Sequence, residues 1–137
     1  MGIEEIDSML NCTNELEWYD CDLLTQCQEF LIRLGKEERN ALLSLGPSRS
    51  DLWKVHLVES LETINSLDAK PFVLQMLRTA SNEHLIITCL LFFERKTGIL
   101  SKNDKQYLRQ IIQELSKKAR TINKKLLGDL FSVFDPS

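Results

Sequence analysis

His84-Leu85-Ile86-Ile87-Thr88-Cys89-Leu90-Leu91-Phe92-Phe93 is the longest nearly unbroken apolar run in the chain, and its reading decides the fold. Eight of its ten residues are apolar. That is too short for a membrane span of roughly 20 residues and too continuous for the one-sided stripe of a surface helix. A segment apolar on every side needs neighbours on every side. Periodicity does not separate a buried helix from a buried parallel strand, but the flanks do. Ser81-Asn82-Glu83 offers a capping side chain and an early acid to meet the helix dipole. Glu94-Arg95-Lys96 sets two cations ahead of Gly98, a C-terminal stop. The expectation is a central buried helix over 84–94.

Outward from that run, 137 residues is a single-domain length with room for a core that needs neither disulfide nor metal. Five Gly and three Pro leave little material for the turns of a many-stranded sandwich or barrel. The class expected is all-α, one domain over 1–137, as a compact orthogonal bundle of about six to eight helices. A short HEAT-like or armadillo-like stack is the second architecture, although no internal repeat of fixed period supports it.

The helices are placed by spacing. Ile3, Ile6 and Leu10 make a short packing arm. Thr13 or Asn14 caps a helix carrying Leu16, Leu23, Cys27, Phe30, Leu31 and Leu34 as far as Gly35, and a shorter helix follows over Lys36 to Leu45. Gly46-Pro47-Ser48-Arg49-Ser50 is the one clear breaker cluster, a turn that can serve as a hinge at 46–50. Ser50 caps a helix faced by Trp53, Leu57, Leu61 and Ile64. Asp68 caps the next, with Pro71 in its first turn. From a cap at Ser101, Leu108, Ile111, Ile112, Leu115, Ala119, Ile122, Leu126, Leu130 and Phe131 keep helical period, as one long helix or two collinear ones with Gly128 a weak point.

The chemistry-bearing residues are sparse. Cys12, Cys21, Cys27 and Cys89 lack the close spacing of a zinc site, and His56 and His84 stand far from them in sequence, so no metal and no cofactor is expected. No nucleophile stands with a base, no carboxylate pair lies in an apolar setting, and Gly35, Gly46, Gly98 and Gly128 are isolated rather than gathered in a phosphate loop. His56 reads as a core-edge or surface histidine. The N-terminus shows no basic region followed by an apolar one, so free thiols in an intracellular, cytoplasmic or nuclear setting are expected. With an overall charge of -3, nothing draws the whole chain to nucleic acid or an anionic membrane.

Charge is segregated along the chain. Residues 1–46 hold ten acids against three bases, a balance of -7, and residues 95–125 hold ten bases against two acids, a balance of +8. One reading sets the acidic and basic helices against each other, or leaves both as solvated surface. The other makes the basic helix face an interaction surface. Lys117, Lys118, Lys124 and Lys125 recur at spacings of seven with Arg120 between them, and Arg109 lies on the same stretch. Trp18, Tyr19 and Phe134 are the exposed apolar alternatives.

Leu90-Leu91-Phe92-Phe93-Glu94-Arg95-Lys96-Thr97-Gly98-Ile99-Leu100-Ser101, followed by Leu108, Ile111, Ile112 and Leu115, is similar to the middle of death-effector-type domains, helical bundles that assemble apoptotic adaptors. It covers under a third of the chain. The charge motif of that family, Arg-x-Asp-Leu, falls at Arg120-Thr121-Ile122-Asn123, where the arginine matches and the aspartate is absent. Without its recognition element, the similarity is one of helix patterning.

The function expected from the sequence is a non-enzymatic helical module, an adaptor or complex subunit. It would bind a protein partner, acidic or helical, through an apolar groove or the basic face of Arg109, Lys117, Lys118, Arg120, Lys124 and Lys125, with Trp18 and Tyr19 as apolar contacts. The alternative is a nucleic-acid- or chromatin-associated helical domain using the same basic face.

Overall fold

In the computed structural model, which describes residues 2–64, 66–118 and 121–136 and, within these, all side chains except those of 63, 66, 67, 121 and 122, every regular element is helical. The α-helices are α1 (Ile3–Leu10), α2 (Leu23–Arg33), α3 (Lys36–Leu43), α4 (Asp51–Ser60), α5 (Ser66–Thr79), α6 (Glu83–Glu94), α7 (Lys102–Ser116) and α8 (Thr121–Val133). Single turns of tighter or wider helix lie at Leu16–Asp20, Gly46–Ser48, Leu61–Thr63 and Thr97–Ile99. None of the described helices is long and apolar enough to cross a membrane. By its contacts the chain forms two compact units, Met1–Cys89 and Leu90–Ser137.

The run that decided the class is α6, a helix and not a strand. Leu85, Ile86, Ile87, Cys89, Leu90, Phe92 and Phe93 are buried, Leu91 is half-buried, and His84 is exposed in the first turn. Asn82 is its cap: its Oδ1 accepts from the Leu85 N–H at 3.0 Å.

In the first unit α1 packs on α2, α3 and α4, and α2 packs on α4. The helix with the broadest burial here is α4, where Trp53, Val55, His56, Leu57, Val58 and Ser60 all lie inside. The stripe read from sequence caught Trp53 and Leu57 but not the opposite side of the same helix. Its polar members are satisfied internally, as buried polar groups must be. The Ser60 hydroxyl donates to the His56 carbonyl at 2.8 Å, and Ser50 caps the helix by accepting from the Trp53 N–H at 3.2 Å.

Three expectations are corrected in this unit. The helix read from Leu16 to Leu34 is broken at Cys21–Asp22, where Asp22 has φ 65°. A wide turn over Leu16–Asp20 precedes the break, so Leu16 leaves the apolar stripe and is 61% exposed. An aspartate tolerates the left-handed region better than most residues, and this kink is what separates the turn from α2. Asn14 caps the turn as expected, its Oδ1 accepting from the Leu16 N–H at 3.0 Å. The next correction concerns Pro71, which stands inside α5 and beyond its first turn, because α5 starts at Ser66, ahead of the expected cap Asp68. His56, read as a core-edge or surface residue, is 2% exposed.

In the second unit Ser101 and Asp104 form a reciprocal capping box at the start of α7, with bonds of 3.1 and 2.9 Å. The expected single or collinear helix is corrected here. Arg109 and Phe131 are 22 residues apart, a rise of about 33 Å along one straight helix, yet the Arg109 Nε donates to the Phe131 carbonyl at 3.0 Å. The chain therefore folds back, and α7 and α8 pack on each other as a helical hairpin. Because α8 starts a new phase after the turn, Leu127, Leu130 and Phe134 are buried while Leu126 is only half-buried. Phe134, read as an exposed apolar residue, is 0% exposed.

Candidate functional site

Breaking the expected long helix changes what the lysines can do. Lys117 ends α7, where a cation meets the negative end of the helix dipole, and Lys124 lies in α8 on the returning limb. Both line one open groove of about 640 Å³, with Ile112, Gln113, Ser116, Leu127, Gly128 and Phe131 as its other walls. Ile112 and Leu127 are buried and make an apolar floor, and Phe131 is half-buried at its edge. Lys118 and Lys125 are exposed beside their neighbours but are not among the groove walls. Among the described residues none of these four lysines forms an ion pair.

The remaining residues of the sequence reading fare differently. Arg109 is already engaged, since its guanidinium carbon sits 4.0 Å from the Phe131 ring centroid while its Nε holds the Phe131 carbonyl. It braces the hairpin while staying half-buried. Arg120 lies outside the described residues. Trp18 is 0% exposed and is no surface contact. Its ring stacks on His56 with centroids 3.9 Å apart and planes 21° from parallel, and its Nε1 donates to Glu59 Oε1 at 3.3 Å. Tyr19 is 46% exposed, with its hydroxyl donating to the same carboxylate at 3.0 Å.

Glu59, not singled out in the sequence, is thus the acceptor that ties the Leu16–Asp20 turn to α4. Burial raises its pKa, and the hydrogen bonds from Tyr19 and Trp18 partly oppose that rise. One helical turn before it, His56 Nδ1 lies 3.0 Å from the Leu10 carbonyl. A carbonyl only accepts, so Nδ1 carries the proton. Burial lowers the pKa of His56, which keeps the ring neutral against Trp18. The cluster ties the Leu16–Asp20 turn and α1 to α4.

A second polar clasp joins α1 to α4. Asp7 accepts from Arg49 Nη2 at 2.8 Å, from Arg49 Nε at 3.0 Å and from Trp53 Nε1 at 2.8 Å. The Arg49 hydrogen bond is the main reason its carboxyl stays below the ordinary value. The thiols offer no reactive alternative in the core, because burial pushes both Cys27 and Cys89 up to about 12. All four cysteines are free. A cavity of about 330 Å³ between Leu43, Gly46, Phe72 and Met76 carries Lys54, Gln75 and Thr79 at its walls. The Thr79 hydroxyl, however, is turned back to the Gln75 carbonyl of its own helix.

Compared with family models, curated proteins and solved structures, the chain matches none of them.

Proposed function

We propose that the chain is a non-enzymatic helical interaction module whose α7–α8 groove receives an acidic segment bearing apolar side chains. The observation that carries this reading is the pairing, in one open groove, of the half-buried Phe131 edge over buried Ile112 and Leu127 with two exposed lysines, Lys117 and Lys124, that form no ion pair among the described residues. Ile112 and Leu127, at 2% and 0% exposure, leave little surface to cover, so the apolar contribution comes from the half-buried Phe131 at the edge. The lysines steer an acidic partner and set its register more than they add binding strength.

Binding of labelled acidic amphipathic peptides and of a labelled duplex DNA, measured by fluorescence anisotropy over a salt series, tests the proposal. The expected result is saturable peptide binding that Lys117→Glu with Lys124→Glu abolishes while the far-ultraviolet helix signal and melting temperature are retained. Tighter binding to DNA than to any peptide, with a log-log salt slope of about -0.9 per phosphate contacted, would replace it by the nucleic-acid reading.

A further inference from the structure

Five large apolar side chains are markedly exposed among the described residues: Leu16 61%, Tyr19 46%, Ile32 57%, Leu52 37% and Val133 40%. Ile32, Leu52 and Val133 come from three different helices, α2, α4 and α8. Leu16 and Tyr19 differ because they project from one short turn, Leu16–Asp20, on which Glu15, Glu17, Asp20 and Asp22 are exposed as well. This turn is held out as a unit. Asn14 caps its start, Asp22 with φ 65° kinks the chain at its end, and the Glu59 carboxylate grips it through Trp18 and Tyr19. A short, prefolded, acidic segment with two apolar side chains is the chemistry that the α7–α8 groove fits.

From this complementarity we infer that the partner of the groove is a second copy of this chain, whose Glu15–Asp22 segment docks between α7 and α8. The inference rests on the reading of that groove as a binding surface and names its occupant. Leu16 and Tyr19 pack on the half-buried edge of Phe131, and the surrounding acids face Lys117 and Lys124. The segregation of charge along the chain, -7 over 1–46 and +8 over 95–125, then has a role: each copy carries both an acidic segment and a basic groove to offer to another copy. Because the turn is already ordered by Glu59, little conformational entropy is lost on docking, which favours a small contact. A contact made by one short segment is small, and small contacts belong to weak, reversible association.

Sedimentation equilibrium of the full chain tests this. For the wild type, the weight-average mass rises above that of a monomer with concentration. The rise shrinks with added salt, as the screening length falls from about 10 Å at 0.1 M to about 3 Å at 1 M. Lys117→Glu with Lys124→Glu, and separately Glu15→Lys with Asp20→Lys, each gives a monomer at every concentration. Mixed together, the two variants associate again, since the intact segment of one meets the intact groove of the other and the two reversals are themselves complementary in charge. A wild-type chain that stays monomeric yet binds acidic peptides in its groove overturns this inference and leaves the proposed function standing. A wild type that binds neither overturns both. Association that survives both pairs of reversals places the contact elsewhere and overturns the inference. Unchanged melting temperatures in the variants exclude unfolding as the cause of any loss.

Discussion

Asp7 and Lys124 are both charged residues on helices packed against a neighbour, yet their surroundings have little in common. Asp7, on α1, accepts hydrogen bonds from Arg49 and from the buried Trp53. Lys124, on α8, is exposed and free of ion pairs among the described residues. The same contrast runs through the two units. Between the helices of the first, polar groups that lose water mostly have protein partners, Arg39 Nε being the buried one without a hydrogen bond among the described residues, because an unpaired group costs about 1–3 kcal/mol. At the groove rim of the second, water still reaches the lysines, so nothing in the fold obliges them to pair. Charges of the first kind hold the structure together. The second kind remain available to a partner.

The largest effects should come from the core and be blind to charge. Phe92→Ala and Trp18→Ala, at fully buried sites, are each expected to cost about 3–5 kcal/mol in urea unfolding. Leu91→Ala should cost less than Leu90→Ala, since Leu91 is half-buried and Leu90 is not exposed at all. Equal costs for the last pair would mean that α6 is turned about its axis from the orientation described.

Asp7→Ala comes next, at about 1–3 kcal/mol, because it strips the acceptor from Trp53 Nε1. A cost near zero would erase the contrast with Lys124 and return the clasp to the status of a surface ion pair.

Smaller effects should appear as pH dependence in the first unit. His56 has its pKa lowered in the fold, so its contribution is fully present above 6.5 and is lost as pH falls through 6.5 toward the folded value. His56→Gln should flatten that decline. Glu59 has the opposite sign: its raised pKa favours the protonated acid, so its burial disfavours the fold increasingly as pH rises above the ordinary 4.5. Glu59→Gln, which keeps an acceptor for Trp18 and Tyr19, should be neutral or stabilising at pH 7. Denaturant midpoints across the two pH windows measure both.

The smallest stability change belongs to Lys124→Ala, expected to stay within about 0.5 kcal/mol. A larger loss would show that the lysine is structurally engaged and that the two units do not differ as described.

The helical class and most helix starts were legible because they depend on neighbours in sequence. Ser50, Asn82 and Ser101 cap where their side chains reach backbone N–H groups three residues on. The lysines stood out in the sequence, but the placing of Lys117 and Lys124 on opposite limbs of a hairpin did not. What stayed hidden depends on residues distant in sequence. Glu59 meets residues about forty positions away, and Trp18 reads as surface until its stack on His56 is known. The hairpin was missed because the apolar period continues through residues 108–131 on both sides of the turn, and hydrophobic period carries no information about direction. The only local hint was the polar stretch Ser116-Lys117-Lys118, which does not by itself stop a helix.

Gly128 sits in α8 with nothing within 4 Å of the position its missing Cβ would take, and it forms part of the groove wall. Packing therefore does not require a glycine there, and alanine should stabilise the helix by about 0.5–1 kcal/mol. In terms of amide hydrogen exchange, the backbone around 128 should open more often than the rest of α8, and Gly128→Ala should slow that opening several-fold. The same methyl would project into the groove and shallow it. A chain selected only for rigidity gains from alanine at this point, whereas one selected to admit an incoming side chain keeps the bare backbone and tolerates a helix that breathes.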